Sequence, residues 1–293
     1  MSEEAKRSIS RILSRLTEVF ERAGIETPRL DAEVLIGFCL SRERAELYRD
    51  LSVELDNDQI LRILELAGRR KRREPMAYIR GFREFWSLDF TVTPAVLVPR
   101  PDTECLVEEV LALRDSYRGV AARILDIGAG SGAVGIAVAS DWPDCDMTAT
   151  EFSAAALEVA RENAKRLLGA DRRIALVQGD LYGGTEGVFD IVCSNPPYIS
   201  EAEYETLARE VVLYEPREAL VAGPLGTEVH RRIAEGAKEK LKPGGWLLME
   251  MGAEQRPALT EILEQTGLFE GIRFRADLAG LDRVVIARRK DLL

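Results

Sequence analysis

The tetrapeptide Asn195-Pro196-Pro197-Tyr198 is the part of the chain whose chemistry is most directly readable. It follows an apolar, strand-like run at 189–193. A central strand cannot continue through two prolines, so the chain must leave the sheet there, and the two rings hold the backbone extended as it does. That geometry aims the Asn195 side-chain oxygen and the Pro196 carbonyl at one point. They form two acceptors for the two hydrogens of a planar NH2 group, while the Tyr198 ring offers a flat face to a planar amide or base. An amide nitrogen is a poor nucleophile because its lone pair is delocalised into the carbonyl. Two acceptors drawing on its hydrogens push electron density back onto nitrogen and fix its approach to an electrophilic carbon. Once alkylated, the nitrogen is cationic and acidic and loses its proton to water, so no strong base is needed. That the chain has one histidine is therefore no obstacle. His230 falls in a helical stretch at 227–240 and reads as a surface residue, and its solitude argues against multi-histidine metal sites and a Ser/His/Asp triad.

Asp126, Gly128, Ala129, Gly130, Ser131 and Gly132 form a second cluster, DIGAGSG, between a strand at Arg123–Ile127 and a helix from 132. Glycines in a strand-to-helix turn let the backbone approach a ligand closely, in the crevice where open α/β sheets bind ligands. The same loop satisfies a dinucleotide fingerprint, so alone it does not choose the cofactor. Glu151, closing the next strand at 147–151, can accept hydrogen bonds from ribose hydroxyls in either case.

The elements that must hold these residues divide the chain in two. From 8 to about 73 the pattern is helical: Ile9, Leu13, Leu16 and Phe20 repeat at helix spacing before Gly24, and Val34, Leu35 and Phe38 share a face after Pro28. Asp56 and Gln59 stand at capping-box spacing ahead of Ile60, Leu64 and Ala67. Aromatic and β-branched residues between Tyr78 and Val98 suit a β-hairpin linker. The expected division is a helical substrate-docking domain at 1–77, the linker at 78–98 and a catalytic domain at 99–293. After Pro99, strands and helices alternate: strands at Arg123–Ile127, 147–151, Ile174–Gln178, 189–193 and 246–251, and helices at 132, 153–168, 227–240 and 253–266. Alternation implies a mostly parallel sheet with helices on both faces. Two final strands at 272–276 and 284–288 lie too close for a helical crossover and should pair antiparallel. An open α/β sheet ending in an antiparallel strand resembles the class I methyltransferases and departs from a plain dinucleotide-binding domain.

Composition sets outer limits. At 293 residues, 46% hydrophobic and 31% charged, the chain can bury a core without disulfides or metal. No apolar run approaches a membrane span and the start is polar, so a cytoplasmic protein without a targeting segment is expected. Cys39, Cys105, Cys145 and Cys193 are far apart and read as isolated thiols. A net charge of −10 argues against a general nucleic-acid binder. The run Arg69, Arg70, Lys71, Arg72 and Arg73 reads as a solvated helix end favoured by the macrodipole.

Taken together, GFREFW at 81–86, VLVPRPDTE at 96–104, DIGAGSG and NPPYI at 195–199, behind a helical N-terminal region, resemble the PrmC/HemK family of protein-(glutamine N5) methyltransferases across nearly the whole chain. The resemblance implies a class I fold, Rossmann-like, with a seven-stranded sheet and an antiparallel final strand, plus a small all-α N-terminal domain. It implies S-adenosyl-L-methionine as cofactor, held by Asp126, Gly128 to Gly132, Glu151, Asp180, Leu181 and Asn195, with Asp180 and Leu181 bounding the adenine. Asn195, Pro196, Pro197 and Tyr198 would bind the substrate, with Asn195, Pro196 and Tyr198 doing the catalytic work. Class I peptide chain release factors, methylated on the glutamine of a Gly-Gly-Gln loop, are the implied partners, with neither membrane nor nucleic acid required. The family more often carries aspartate where Glu151 stands and an aromatic where Leu181 stands. PRPDTE favours release factors over ribosomal protein L3, the substrate of the nearest related enzymes. An adenine N6-methyltransferase also presents a planar NH2 to such a site, but base flipping calls for a cationic groove, and the pI is near 5.0. Thr103 and Glu104 cap the next helix or line the methionine end of the cofactor.

Overall fold

Residues 7–169 and 174–291 are described by the structure, a computed structural model; the polar start at 1–6 lies outside them. One compact unit comprises the chain up to Gly81 together with Ala208–Tyr214. Its helices are α1 (Ile9–Arg22), α2 (Pro28–Leu40), α3 (Arg44–Arg49), α4 (Asn57–Lys71), α5 (Met76–Arg80) and α10 (Arg209–Tyr214). α1 buries Ile9, Leu13, Leu16 and Phe20, as the spacing requires, and ends before Gly24 at φ 70°. α4 opens on the capping box: Asp56 accepts from the Gln59 N–H at 2.8 Å and Gln59 accepts from the Asp56 N–H at 3.0 Å.

Which face turns inward differs from expectation in two helices. α4 buries Ile63, Leu66, Ala67 and Arg70, leaving Leu64 55% exposed, and α2 buries Ala32, Leu35, Ile36 and Cys39 with Val34 and Phe38 half-buried. α2 packs against α1, α3, α4 and α5 at once, so its apolar residues surround the helix and mark no single stripe. The arginine run is not a solvated helix end throughout. Arg70 is buried, with Nε 2.7 Å from Asp31 and Nη1 3.2 Å from Glu210 of α10, while Arg69 pairs with Glu74.

The second unit, Phe82–Leu207 and Glu215–Leu293, carries the sheet. A hairpin of β1 (Phe82–Phe85) and β2 (Leu88–Thr91) turns through Trp86 and Ser87, both at positive φ, and buries Phe85 and Phe90 edge-to-face, 6.0 Å apart. The helix α6 (Glu104–Ala112) follows. The main sheet then has β3 (Arg123–Ile127), β4 (Asp146–Glu151), β5 (Ile174–Gln178), β6 (Phe189–Ser194), β9 (Leu241–Glu250), β10 (Phe269–Ala276) and β11 (Asp282–Arg289), in the order β10-β11-β9-β6-β3-β4-β5. Pairing is parallel from β9 through β5, and β11 inserts antiparallel between β9 and β10. β9 starts at Leu241 because Leu241 pairs with Phe189 before a bulge that carries the chain to Trp246 opposite Ile191. A two-stranded parallel sheet, β7 (Ile199–Ser200) with β8 (Val221–Gly223), was not readable from pattern, being too short to show a period.

Helices α7 (Ala133–Asp141), α8 (Ala154–Leu168), α11 (Glu228–Lys240) and α12 (Arg256–Gln265) complete the layers, with a short α9 (Glu201–Tyr204) after β7. Alternate residues of the central strands enter opposite cores. Ile124, Ile191, Cys193 and Leu248 pack with α6 and α7, whereas Leu125, Val192, Leu247 and Met249 pack with α11 and α12. A sheet covered on both faces explains why these strands read as continuous apolar runs.

Candidate active site

The carboxyl ends of β3, β4, β5 and β6 meet at a cavity of about 530 Å³, within the range of small-molecule sites. Of the residues singled out from sequence, Asp126, Gly128, Ala129, Gly130, Ser131, Glu151, Asp180, Leu181, Asn195 and Pro197 line it. Gly132, Pro196 and Tyr198 do not. Gly132 caps α7 at φ 83°, and a Cβ there would lie 2.7 Å from the Ile136 side chain, so its place is to let the helix start.

The glycine loop leaves β3 under strong local constraint. The N–H groups of Gly128 and Ala129 both donate to the Thr150 carbonyl at 2.9 Å. Gly128 and Gly130 adopt φ 77° and 55°, where a Cβ would meet open space, so backbone conformation alone explains glycine at both. Asn163, fully buried on α8, donates to the Ser131 carbonyl at 2.9 Å and exchanges hydrogen bonds with Thr91 of β2, tying loop, helix and hairpin together.

Glu151 points back across this loop. One carboxylate oxygen accepts from the Gly130 N–H at 2.8 Å and the other from the Ser153 N–H at 2.8 Å. Each oxygen keeps a free lone pair while its direction is fixed. Next to it Phe152 is 71% exposed on the cavity wall, a flat apolar face that strand periodicity did not single out because it lies just past the strand. Leu181 sits at φ 51° with its carbonyl accepting from the Thr150 hydroxyl at 2.7 Å, and Asp180 is paired with Arg232 at 2.6 Å. Asp126 is 1% exposed and accepts from the Gly135 N–H at 2.9 Å; burial pushes its carboxyl up to about 7 against that hydrogen bond.

At the exit of β6 the chain is clamped. The Ser194 hydroxyl donates to the Ile127 carbonyl at 2.7 Å, and Gln255 Nε2 donates to the carbonyls of Tyr198 and Gly226 at 2.9 and 3.0 Å. Asn195 Nδ2 donates to the Thr103 hydroxyl at 3.2 Å. Thr103, 3% exposed, therefore faces the site and caps nothing by its side chain, while Glu104 accepts from the Trp86 N–H at 2.9 Å and is not on the cavity wall. The Tyr198 hydroxyl reaches Glu250 at 3.3 Å, and burial raises its phenol above the ordinary value. His230 is not a surface residue: it is fully buried, with Nε2 2.8 Å from the Glu250 carbonyl, and burial pushes it down to about 4. Its place on the 230, 233, 234, 237 face of α11 was the signal available for that. No group of side chains able to hold a metal ion occurs among the described residues.

Residues 11–81 match the family model of the PrmC N-terminal domain, and residues 102–225 match that of the methyltransferase small domain. The release factor glutamine methyltransferase of Rhodopirellula baltica is 38% identical over 95% of this chain and 95% of its own length. Those of Nitratidesulfovibrio vulgaris and Geobacter sulfurreducens are 40% and 39% identical, covering 95% and 96% of this chain and 94% and 96% of theirs. The chain belongs to the release factor glutamine methyltransferase family. Among solved structures a methyltransferase from Pyrococcus furiosus superposes with a TM-score of 0.51 at 23% identity, over 81% of this chain and all of that one, which supports the fold. The glycine loop, Glu151 and Asn195 line one cavity.

Proposed function

We propose that this enzyme transfers a methyl group from S-adenosyl-L-methionine to the side-chain nitrogen of a glutamine in the Gly-Gly-Gln loop of class I peptide chain release factors, acting in the cytoplasm where those factors work. The observation that carries the reading is the orientation of Asn195: its NH2 is committed to Thr103, which leaves Oδ1 as the atom available to an NH2 donor. Among the described residues none donates to the Pro196 carbonyl, so a second acceptor stands next to it in the chain.

The residues fit the cofactor. Glu151, with both oxygens fixed by backbone N–H groups, would take the ribose hydroxyls; Phe152 and Leu181 would bound the adenine; Asp126 and the glycine loop would hold the methionine end. When bound, the cofactor supplies an electrophilic methyl whose bond to sulfur breaks with its electron pair staying on sulfur as a new carbon–nitrogen bond forms. Asn195 Oδ1 and the Pro196 carbonyl accept the two amide hydrogens and place the nitrogen lone pair toward the methyl carbon. Tyr198 lies off the cavity wall with its hydroxyl on Glu250 and would support this stretch of chain from behind. The proton that leaves the cationic nitrogen passes to water.

The test is transfer of label from S-adenosyl-L-methionine to a purified release factor, beside its Gly-Gly-Gln to Gly-Gly-Ala variant and ribosomal protein L3. Label on the wild-type factor alone supports the reading; label on L3 alone, or on neither, overturns the substrate assignment.

A further inference from the structure

Three stretches of the second unit, 96–103, 195–200 and 215–223, line the cavity and are linked each to the other two. Pro99 and Thr103 of the first, Asn195 and Pro197 of the second, and Pro216 and Val221 of the third stand on its wall. The first and second meet where Asn195 donates to the Thr103 hydroxyl at 3.2 Å. The second and third meet where the Ile199 N–H donates to the Leu220 carbonyl at 2.9 Å and β7 pairs with β8. The remaining link is Glu215, at which the chain enters the second unit again after Tyr214. Its side chain is 2% exposed; Oε2 accepts from the Val98 N–H at 3.2 Å and Oε1 from Arg100 Nη2.

The stretch 96–100 has neither helix nor strand, so no ladder of backbone hydrogen bonds sets its place. Pro99 has no N–H to contribute, and the N–H of buried Val98 is spent on Glu215. From there the path to the site is short. Across the turn Pro101–Thr103 the Thr103 N–H donates to the Arg100 carbonyl at 3.1 Å, so Arg100 and Thr103 move as one piece. A buried carboxylate is tolerated only where donors meet it, and both oxygens of Glu215 meet donors from this one stretch. Fixing the Val98 main chain and the Arg100 side chain therefore fixes the Thr103 hydroxyl to which Asn195 donates. We propose that Glu215 is a positioning residue: by holding 98–100 it keeps Thr103 within reach of Asn195 Nδ2, and so keeps Asn195 Oδ1 available to the substrate nitrogen. This rests on the reading of the site as an amide methyltransferase.

Glu215→Leu fills the space with no acceptor for either donor. The expected result is a kcat for release factor methylation about 10- to 100-fold lower, the scale of an ångström's misplacement, with affinity for S-adenosyl-L-methionine within about threefold. Arg100→Met leaves the Val98 N–H on Glu215 and should lose less, Arg100→Lys should recover part of that loss, and Glu215→Leu with Arg100→Met should be no worse than Glu215→Leu alone. A second readout needs no turnover: the Asn195 side-chain amide signal in nitrogen-15 NMR, assigned by its disappearance in Asn195→Asp. It should move toward a free amide in Glu215→Leu and stay in place in Lys242→Met, which breaks the pair with Asp190 at the amino ends of β6 and β9. Wild-type kcat in Glu215→Leu, an Asn195 signal that does not move there, or an equal movement in Lys242→Met overturns the proposal. Should Glu215→Leu not fold, Arg100→Met and Arg100→Lys decide it on the same two readouts: loss and movement in the first with recovery in the second support it, and no change in the first overturns it. Wild-type enzyme that binds cofactor and labels no release factor defeats the substrate reading alone, and the amide signal still tells whether Glu215 holds Thr103 against Asn195.

Discussion

Glu151→Ala isolates the ribose end of the site. The carboxylate holds two backbone N–H groups, at Gly130 and Ser153, both at 2.8 Å, and in the proposed reading its remaining lone pairs take the ribose hydroxyls. Hydrogen bonds to a charged group contribute about 1.5–3 kcal/mol each in net terms. Losing the ribose contacts should therefore weaken S-adenosyl-L-methionine binding by about 1.5–3 kcal/mol, or roughly 10- to 150-fold in Kd. The free protein should lose less. Gly130 lines the cavity, so its N–H can turn to water, and about 1–2 kcal/mol of stability should go, a fall of a few degrees in Tm for a chain of this size. Isothermal titration with S-adenosyl-L-methionine and S-adenosylhomocysteine should show the same loss for both, because the ribose is common to them, and kcat at saturating cofactor should stay within about threefold, as expected for uniform binding. Affinity within twofold of wild type refutes the ribose assignment; equal affinity with a collapsed kcat would place Glu151 in the chemistry instead.

Three further outcomes follow from the geometry. Asn195→Ala should lower kcat by about 100- to 1,000-fold, the range seen when one preorganised polar group is removed from a transition state, with cofactor affinity within a few-fold; unchanged turnover in single-turnover assays refutes the acceptor role. Arg70→Ala leaves buried Asp31 without its partner at 2.7 Å and should destabilise the helical unit by about 3–5 kcal/mol in urea unfolding, and a loss under 1 kcal/mol would mean Asp31 finds water. Stability should also depend on pH through three buried groups. Asp126 and Glu250, both raised to about 7, bind protons when folded that the unfolded chain has released, so their contribution is full below the unfolded value and is lost as pH rises toward 7. His230, lowered to about 4, acts oppositely: its contribution is present above the unfolded 6.5 and is lost as pH falls toward 4. Asp126→Asn removes one of the first two, so its unfolding free energy relative to wild type should rise by about 1.4 kcal/mol per pH unit between pH 5 and 6.5; parallel curves refute the assignment.

Long periodic elements and residues with conformational meaning were legible in the chain. Asp56 and Gln59 form the capping box that their spacing implies, Pro196 and Pro197 end β6, and β10 and β11 pair antiparallel as their short separation requires. What escaped was decided by tertiary neighbours. Leu64 is apolar and exposed because α2 takes the other side of α4. Arg70 sits in a run of cations that looks solvated, yet Asp31 and Glu210, far away in sequence, draw it inside. Glu210 belongs to Ala208–Tyr214, which joins the helical unit although nothing in its composition distinguishes it from the chain around it. Thr103 stood between two roles, and only the fold shows its hydroxyl on Asn195. For Glu250 there was a sequence signal: a carboxylate set in WLLMEM, at the end of an apolar run, has to be held by something.

The site asks little of acid–base chemistry and much of direction. A substrate amide gains nucleophilicity only while acceptors face its hydrogens, and an asparagine side chain can present an acceptor or a donor in the same volume. Extended backbone through two prolines places Asn195 but cannot choose which end of its amide points at the substrate. In the structure the amide is turned so that its NH2 donates to the Thr103 hydroxyl at 3.2 Å, which leaves Oδ1 as the end able to accept. Thr103 is 3% exposed, so that hydrogen bond is shielded from water and the acceptor is oriented in advance, with no reorganisation required at the moment of transfer.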